Sequence, residues 1–144
     1  MRNIDLENER KFENQKVLNP AYRLKQSKYY WATQLPGDEH MNDTINSIVD
    51  KKVLEIGCSY GRDAKFYADK ASYYLGIDIA DEAIKKASML KLPKASFICV
   101  DGHKIPSEDK SFDFVIVNGL LHHLDLERSL VEINRVLKKD GHLI

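Results

Sequence analysis

The stretch VLEIGCSYGRDAKF, Val53 to Phe66, decides the fold. It begins as an apolar run carrying one acid, Glu55, and breaks at Gly57 and Gly61, with Cys58, Ser59 and Tyr60 between them. A short apolar run closed by glycines reads as a buried strand turning into a helix. Glycine reaches backbone angles that other residues avoid and lets the main chain approach a ligand closely. Three further runs follow: YYLGID (Tyr73 to Asp78), ASFICVD (Ala95 to Asp101) and FDFVIVN (Phe112 to Asn118). Helical segments separate them: RDAKFYADKA after the first run, DEAIKKASML after the second and LERSLVEINRVLKK after the fourth. In the last of these, Leu126, Leu130, Ile133 and Leu137 fall on one helical face. Strand alternating with helix predicts an α/β fold, a doubly wound, mostly parallel sheet with helices on both faces. KDGHLI predicts a turn followed by a fifth strand that begins at His142.

The chain has 144 residues, one domain by length, and 43% of them are apolar, enough for a core. Its 22 basic and 22 acidic residues cancel, which removes the net attraction to phosphate backbones or anionic lipid. Neither a nucleic-acid nor a membrane partner is therefore expected, and every apolar run is far shorter than a membrane span of about 18 residues. The start, MRNIDLENERKFENQ, has no apolar signal-peptide core, and Cys58 and Cys99 have no zinc-like spacing. Both observations predict a cytoplasmic protein with free thiols. Residues 1–50 differ from the rest: they are polar and punctuated by Asn19-Pro20 and Pro36-Gly37. Met41, Ile45, Ile48 and Val49 predict a short amphipathic helix leading into the core, while Tyr29, Tyr30 and Trp31 suit either a lid or a hydrophobic anchor. The expected organisation is a helical extension or lid over 1–50 and a ligand-binding domain over 51–144.

In an open parallel sheet, ligands bind beyond the carboxyl ends of the strands, which is where Gly57 and Gly61 fall. Asp78 ends the second run, 23 residues after Glu55, where an acid can accept hydrogen bonds from both hydroxyls of a ribose. Asp101, followed by Gly102, ends the third. A dinucleotide fingerprint starting at Gly57 needs glycine at 59 and 62, and the chain has Ser59 and Arg62. Glu55 at the mouth of the first strand would repel a pyrophosphate and favour a cation. A nucleoside that carries a cationic amino-acid tail satisfies both ends.

VLEIGCSYGRDAKFYA, YLGIDIADEAIKKA, ASFICVDGHKIPSEDKSFDFVIVNGLLHHL and EINRVLKKDGHLI together resemble the successive motifs of the class I S-adenosylmethionine-dependent methyltransferases, over residues from about 50 to 144. The resemblance implies a Rossmann-like sheet in the order 3-2-1-4-5 and S-adenosyl-L-methionine as cofactor. It also implies that Glu55, Gly57, Cys58, Ser59 and Gly61 receive the methionine part, and that Asp78 holds the ribose with Ile79 beside the adenine. Asp101 would reach the adenine amino group with Gly102 alongside, and Asn118 and Gly119 would line the methyl side. Ser59 departs from the family pattern, which commonly has a glycine there. The order 3-2-1-4-5 also puts Cys58 and Cys99 two strands apart, too far for a disulfide.

His122 and His123 follow the fourth run, where a general base for a protonated acceptor would stand, and no spacing implies a metal site. Asn118 is followed by Gly-Leu-Leu and not by the Pro-Pro-aromatic continuation that the resemblance leads one to expect in enzymes methylating planar amino groups. A small-molecule, glycan or lipid-precursor acceptor is expected instead. The family usually continues beyond a fifth strand with a helix and antiparallel strands, and this sequence stops at Ile144. That stop predicts a truncated domain whose open sheet edge promotes homo-oligomer formation. Two other functions stay open: a non-catalytic S-adenosylmethionine-binding module, and a nicotinamide-dependent oxidoreductase, which Glu55, Ser59 and Arg62 disfavour.

Overall fold

The computed structural model describes residues 5–19, 45–117 and 125–144. Five strands form one sheet: β1 (Lys52–Ile56), β2 (Tyr73–Asp78), β3 (Ala95–Cys99), β4 (Phe112–Ile116) and β5 (Leu137–Leu143). The order is β3-β2-β1-β4-β5 and every pairing is parallel, as expected. Among the described residues the strands are accompanied by the helices α1 (Leu6–Leu18), α2 (Ala64–Lys70), α3 (Asp81–Ser88) and α4 (Leu126–Val136).

The alternation of side chains along the strands builds two apolar layers. Leu54, Ile56, Leu75, Ile77 and Val115 face one way and meet Ile133 and Val136 of α4. Val53, Tyr74, Phe114 and Ile116 face the other way and meet Ala64, Tyr67 and Ala68 of α2, with Ile48 fully buried among them. With both faces covered, the central strands contain almost no exposed residue; β1 is exposed only at Lys52. β3 is an edge, and its residues are half-buried or exposed.

Three local expectations are corrected. The fifth strand starts at Leu137 rather than His142: Phe112 pairs with Leu137 and Phe114 with His142, so Lys138 to Gly141 bulge out of register. The turn expected from KDG is that bulge, and His142 is held by stacking on Phe114 at 5.1 Å between ring centroids. The buried face of α4 is Ser129, Ile133 and Val136, whereas Leu126 and Leu130 are 49% and 47% exposed. Leu137 has left the helix for the strand, and docking on the sheet turns the helix toward the side where its smallest residue, Ser129, permits close approach. At the N-terminal side, residues 45–47 are helical and Ile48 is buried, but Val49 is 48% exposed, and Met41 lies outside the described residues.

α1 begins at a capping aspartate, Asp5, whose carboxylate accepts from the Glu7 and Asn8 amides. It packs on the start of α3 through Val17, Ala80 and Ala83. The first residue before α3 is Ala80, which has no side chain able to cap. Asn14 of α1 supplies the missing cap: its Oδ1 accepts from the Glu82 amide at 3.1 Å and its Nδ2 donates to Asp81 at 2.8 Å. Among the described residues, no helix is long and apolar enough to cross a membrane.

Candidate nucleoside site

β1 ends in a turn whose backbone demands are unusual. Gly57 and Gly61 have φ of +82° and +75°, and Ser59 between them has φ of +49°. Left-handed angles are open to glycine and cost an L-residue roughly 1 kcal/mol or more, which is the physical reason a glycine is expected at 59. Ser59 holds the conformation because its amide donates to Asp78 Oδ2 at 2.8 Å. The amides of Gly57 and Cys58 both donate to the Ile77 carbonyl, at 2.8 and 3.0 Å, so the turn folds over the end of β2. At Gly61 the left-handed φ strains any other residue, and a Cβ there would also crowd Ala87 Cβ at 3.2 Å where the turn rests against α3.

Asp78 lies at the centre of this junction. Its Oδ2 takes the Ser59 amide and its Oδ1 the Ala80 amide, each at 2.8 Å. Burial raises its pKa, the two amides oppose that, and the carboxylate of Glu13 on α1 adds to the rise. Each oxygen keeps a lone pair with which to accept from a ribose hydroxyl. Ile79 beside it is half-buried, and its carbonyl accepts from Cys99 Sγ at 3.5 Å.

Asp101 stands one strand away, past the end of β3, where the Val100 amide donates to the Asp78 carbonyl. Its Oδ1 accepts from the His103 amide at 3.0 Å and lies 2.6 Å from His103 Nδ1. Its Oδ2 has no partner among the described residues, and the side chain is 28% exposed, placing an open acceptor beside the junction. Gly102 is buried next to it.

Glu55 is placed differently from its neighbours. It is 4% exposed and accepts a hydrogen bond from the Tyr74 hydroxyl inside the layer between sheet and α2. Burial raises its pKa to about 7 against the lowering effect of that hydrogen bond, and the charges of Asp63 and Asp78 raise it further. Arg62, which spoils the dinucleotide fingerprint, forks onto Asp63 with two contacts of 2.8 Å. Cys58 is buried and burial pushes its thiol pKa up; Cys99 is exposed, and both are free thiols.

The structure thus brings Gly57, Cys58, Ser59, Gly61, Asp78, Ile79, Asp101 and Gly102 to one end of the sheet, with Glu55 beneath them. Asn118, Gly119, His122 and His123, and the aromatic segment Tyr29 to Trp31, lie outside the described residues. Among the described residues no group of three metal-ligating side chains converges. Sequence reasoning missed Glu13, Asn14, Tyr74 and His103. The first two reach the site only through the packing of α1. Tyr74 had a faint signal, since it lies two residues before Gly76, the cross-strand partner of Glu55, and so on the same face as the acid. His103 follows Asp101 by two residues, the spacing of a local side-chain turn.

A family model described as a methyltransferase domain matches residues 54–144. Phthiotriol/phenolphthiotriol dimycocerosates methyltransferase of Mycobacterium leprae is 32% identical over 108 residues, covering 72% of this chain and 40% of the relative. The mitochondrial arginine-hydroxylase NDUFAF5 of Homo sapiens is 27% identical over 136 residues, covering 84% of this chain and 39% of the relative. The chain thus spans about 40% of the length of these curated relatives. A crystal structure described as a SAM dependent methyltransferase from Aquifex aeolicus superposes with a TM-score of 0.65 at 23% identity, covering 73% of this chain and 60% of that one, a likeness of fold.

Proposed function

The chain belongs to the class I S-adenosylmethionine-dependent methyltransferase family, and from that premise we propose that it binds S-adenosyl-L-methionine at the β1–β2–β3 end and supports methyl transfer to a small-molecule, glycan or lipid-precursor acceptor. The observation that carries the reading is the junction of Asp78 with the Gly57–Gly61 turn, clasped by the Ser59 amide at 2.8 Å. The residues fit the cofactor: a glycine turn open to close approach, a carboxylate with lone pairs for two ribose hydroxyls, and a second carboxylate whose Oδ2 has no partner among the described residues, for an amino group. The Asp78 carboxylate beside the turn favours a cationic ligand.

When bound, the cofactor supplies a methyl group on a sulfonium, an electrophile that needs no metal. The contribution of this chain is to bind and orient. Asp78 and Asp101 fix the nucleoside, and the turn from Gly57 to Gly61 fixes the amino-acid tail, so that donor and acceptor meet in line. A base is required only where the acceptor arrives protonated, and His122 or His123 is proposed for that task. The acceptor class rests on the neutral charge of the chain and on the Gly-Leu-Leu that follows Asn118.

Calorimetric titration with S-adenosylmethionine, S-adenosylhomocysteine and NAD tests the reading. Binding of the first two and not of NAD is the expected result; binding of NAD alone would overturn it. Turnover of labelled methyl donor with an acceptor panel then separates an enzyme from a non-catalytic binding module.

A further inference from the structure

His103 meets Asp101 at the edge of the site, and both nitrogens of its ring are engaged. The side chain is 3% exposed. Nδ1 lies 2.6 Å from Asp101 Oδ1, and Nε2 lies 3.1 Å from the backbone nitrogen of Asp125. A backbone amide can only donate, so Nε2 must accept, and in a neutral imidazole the proton then sits on Nδ1 and is donated to Asp101. Asp125 is the N-cap of α4: its carboxylate accepts from the Arg128 amide and its carbonyl from the Ser129 amide. One ring therefore ties the carboxylate after β3 to the first turn of a helix 22 residues further along the chain.

The effect on Asp101 is directional. Both the ring Nδ1–H and the His103 amide are donated to Oδ1, so one oxygen is saturated and the carboxylate is prevented from rotating. The other oxygen, Oδ2, has no partner among the described residues and is left as the acceptor for a ligand. Because the ring is pinned at its far end by Asp125, the carboxylate is referenced to the body of the domain and not merely to its own loop.

We propose that His103 is the positioning residue of the nucleobase end of the site, holding Asp101 with one ring nitrogen and the N-cap of α4 with the other, and thereby setting the preference for a base that carries an exocyclic amino group. The inference rests on the reading of Asp101 as the contact to the adenine amino group.

Two substitutions separate the two halves of the ring. His103→Asn keeps a donor near the position of Nδ1 and is too short to reach Asp125. His103→Gln places an amide oxygen near the position of Nε2 and loses the donor to Asp101. The readouts are calorimetric affinity for S-adenosylhomocysteine and for its hypoxanthine counterpart, S-inosylhomocysteine, together with hydrogen exchange at the Asp125 amide. The wild-type chain should prefer the adenine compound. His103→Gln should cut that preference about tenfold, the scale of one charge-assisted hydrogen bond, with the Asp125 amide still protected. His103→Asn should retain the preference and lose the protection. A general loosening of the fold would weaken both ligands alike, so an unchanged ratio in His103→Gln, or an equal loss of ratio in both variants, overturns the proposal. Asp101→Ala is the control: if it leaves the adenine preference intact, the reading of Asp101 is itself wrong and the inference falls with it. If it removes the preference while His103→Gln does not, only the role of His103 is refuted.

Discussion

The hydroxyl of Tyr74 donates a hydrogen bond to the carboxylate of Glu55, and both side chains are buried between the sheet and α2. The pair occupies adjoining strands on one face, with Tyr74 two residues before Gly76, the cross-strand partner of Glu55. In this closed position the acid prefers its proton, and its pKa is raised to about 7, with burial as the largest cause. An acid whose folded pKa exceeds its unfolded value is more protonated in the folded state, so stability falls as pH rises from about 4.5 to about 7 and is level above that. Glu55→Gln keeps an acceptor for Tyr74 and has no charge to bury. Its stability relative to the wild-type chain should therefore increase between pH 4.5 and 7, by at most on the order of 3 kcal/mol. Urea unfolding midpoints of both proteins across that range check this; parallel pH profiles would show that Glu55 does not titrate in the window.

Asp78 carries both the turn and the proposed ribose contact. Asp78→Ala should reduce affinity for S-adenosylhomocysteine by roughly ten- to a hundred-fold, the scale of lost charge-assisted hydrogen bonds. It also strands the Ser59 and Ala80 amides, so thermal stability should fall too. Asp78→Asn removes the charge but keeps one acceptor oxygen, enough for the Ser59 or the Ala80 amide and not for both, so it should destabilise the turn less than Asp78→Ala. Calorimetry on a folded Asp78→Asn chain should still show weakened binding, and wild-type affinity there would remove Asp78 from the ribose site.

Ser59 adopts φ of +49°, where an L-residue is strained. Ser59→Gly should relieve that strain at the cost of added chain entropy in the unfolded state, for a net gain of roughly 0.5 to 1 kcal/mol. Cofactor affinity should change little, because the contact to Asp78 comes from the backbone amide and not from the serine side chain. Thermal melting and titration of the same variant test both halves, and a lower melting temperature would contradict the strain argument.

Asn14 caps α3 from outside that helix. Asn14→Ala should cost about 1 kcal/mol, as loss of a helix cap usually does. The effect should be local. Hydrogen exchange across α1 and the first turn of α3 should quicken while the central strands keep their protection. Uniform acceleration over the whole sheet would mean that α1 is integral to the core.

The sequence by itself determined the sheet, its order through family resemblance, and which residues stand at the strand ends. The reason is that these features are local or periodic: apolar runs between helical segments, glycines at a bend, acids at the ends of runs. Glu55, Gly57, Gly61, Asp78 and Asp101 are legible because each has its meaning within a few residues of its own strand. What only the tertiary structure decided depends on contacts between residues far apart in the chain. The rotation of α4 that buries Ser129 and leaves Leu126 and Leu130 exposed comes from docking on the sheet, and helical period alone does not distinguish faces 60° or so apart. The bulge before His142 follows from matching β5 to β4. Asn14 meets α3 across 68 residues, and His103 meets Asp125 across 22. Such partnerships have no period and no motif, because a hydrogen bond needs only two groups at the right distance, and that distance is set by how the helices pack.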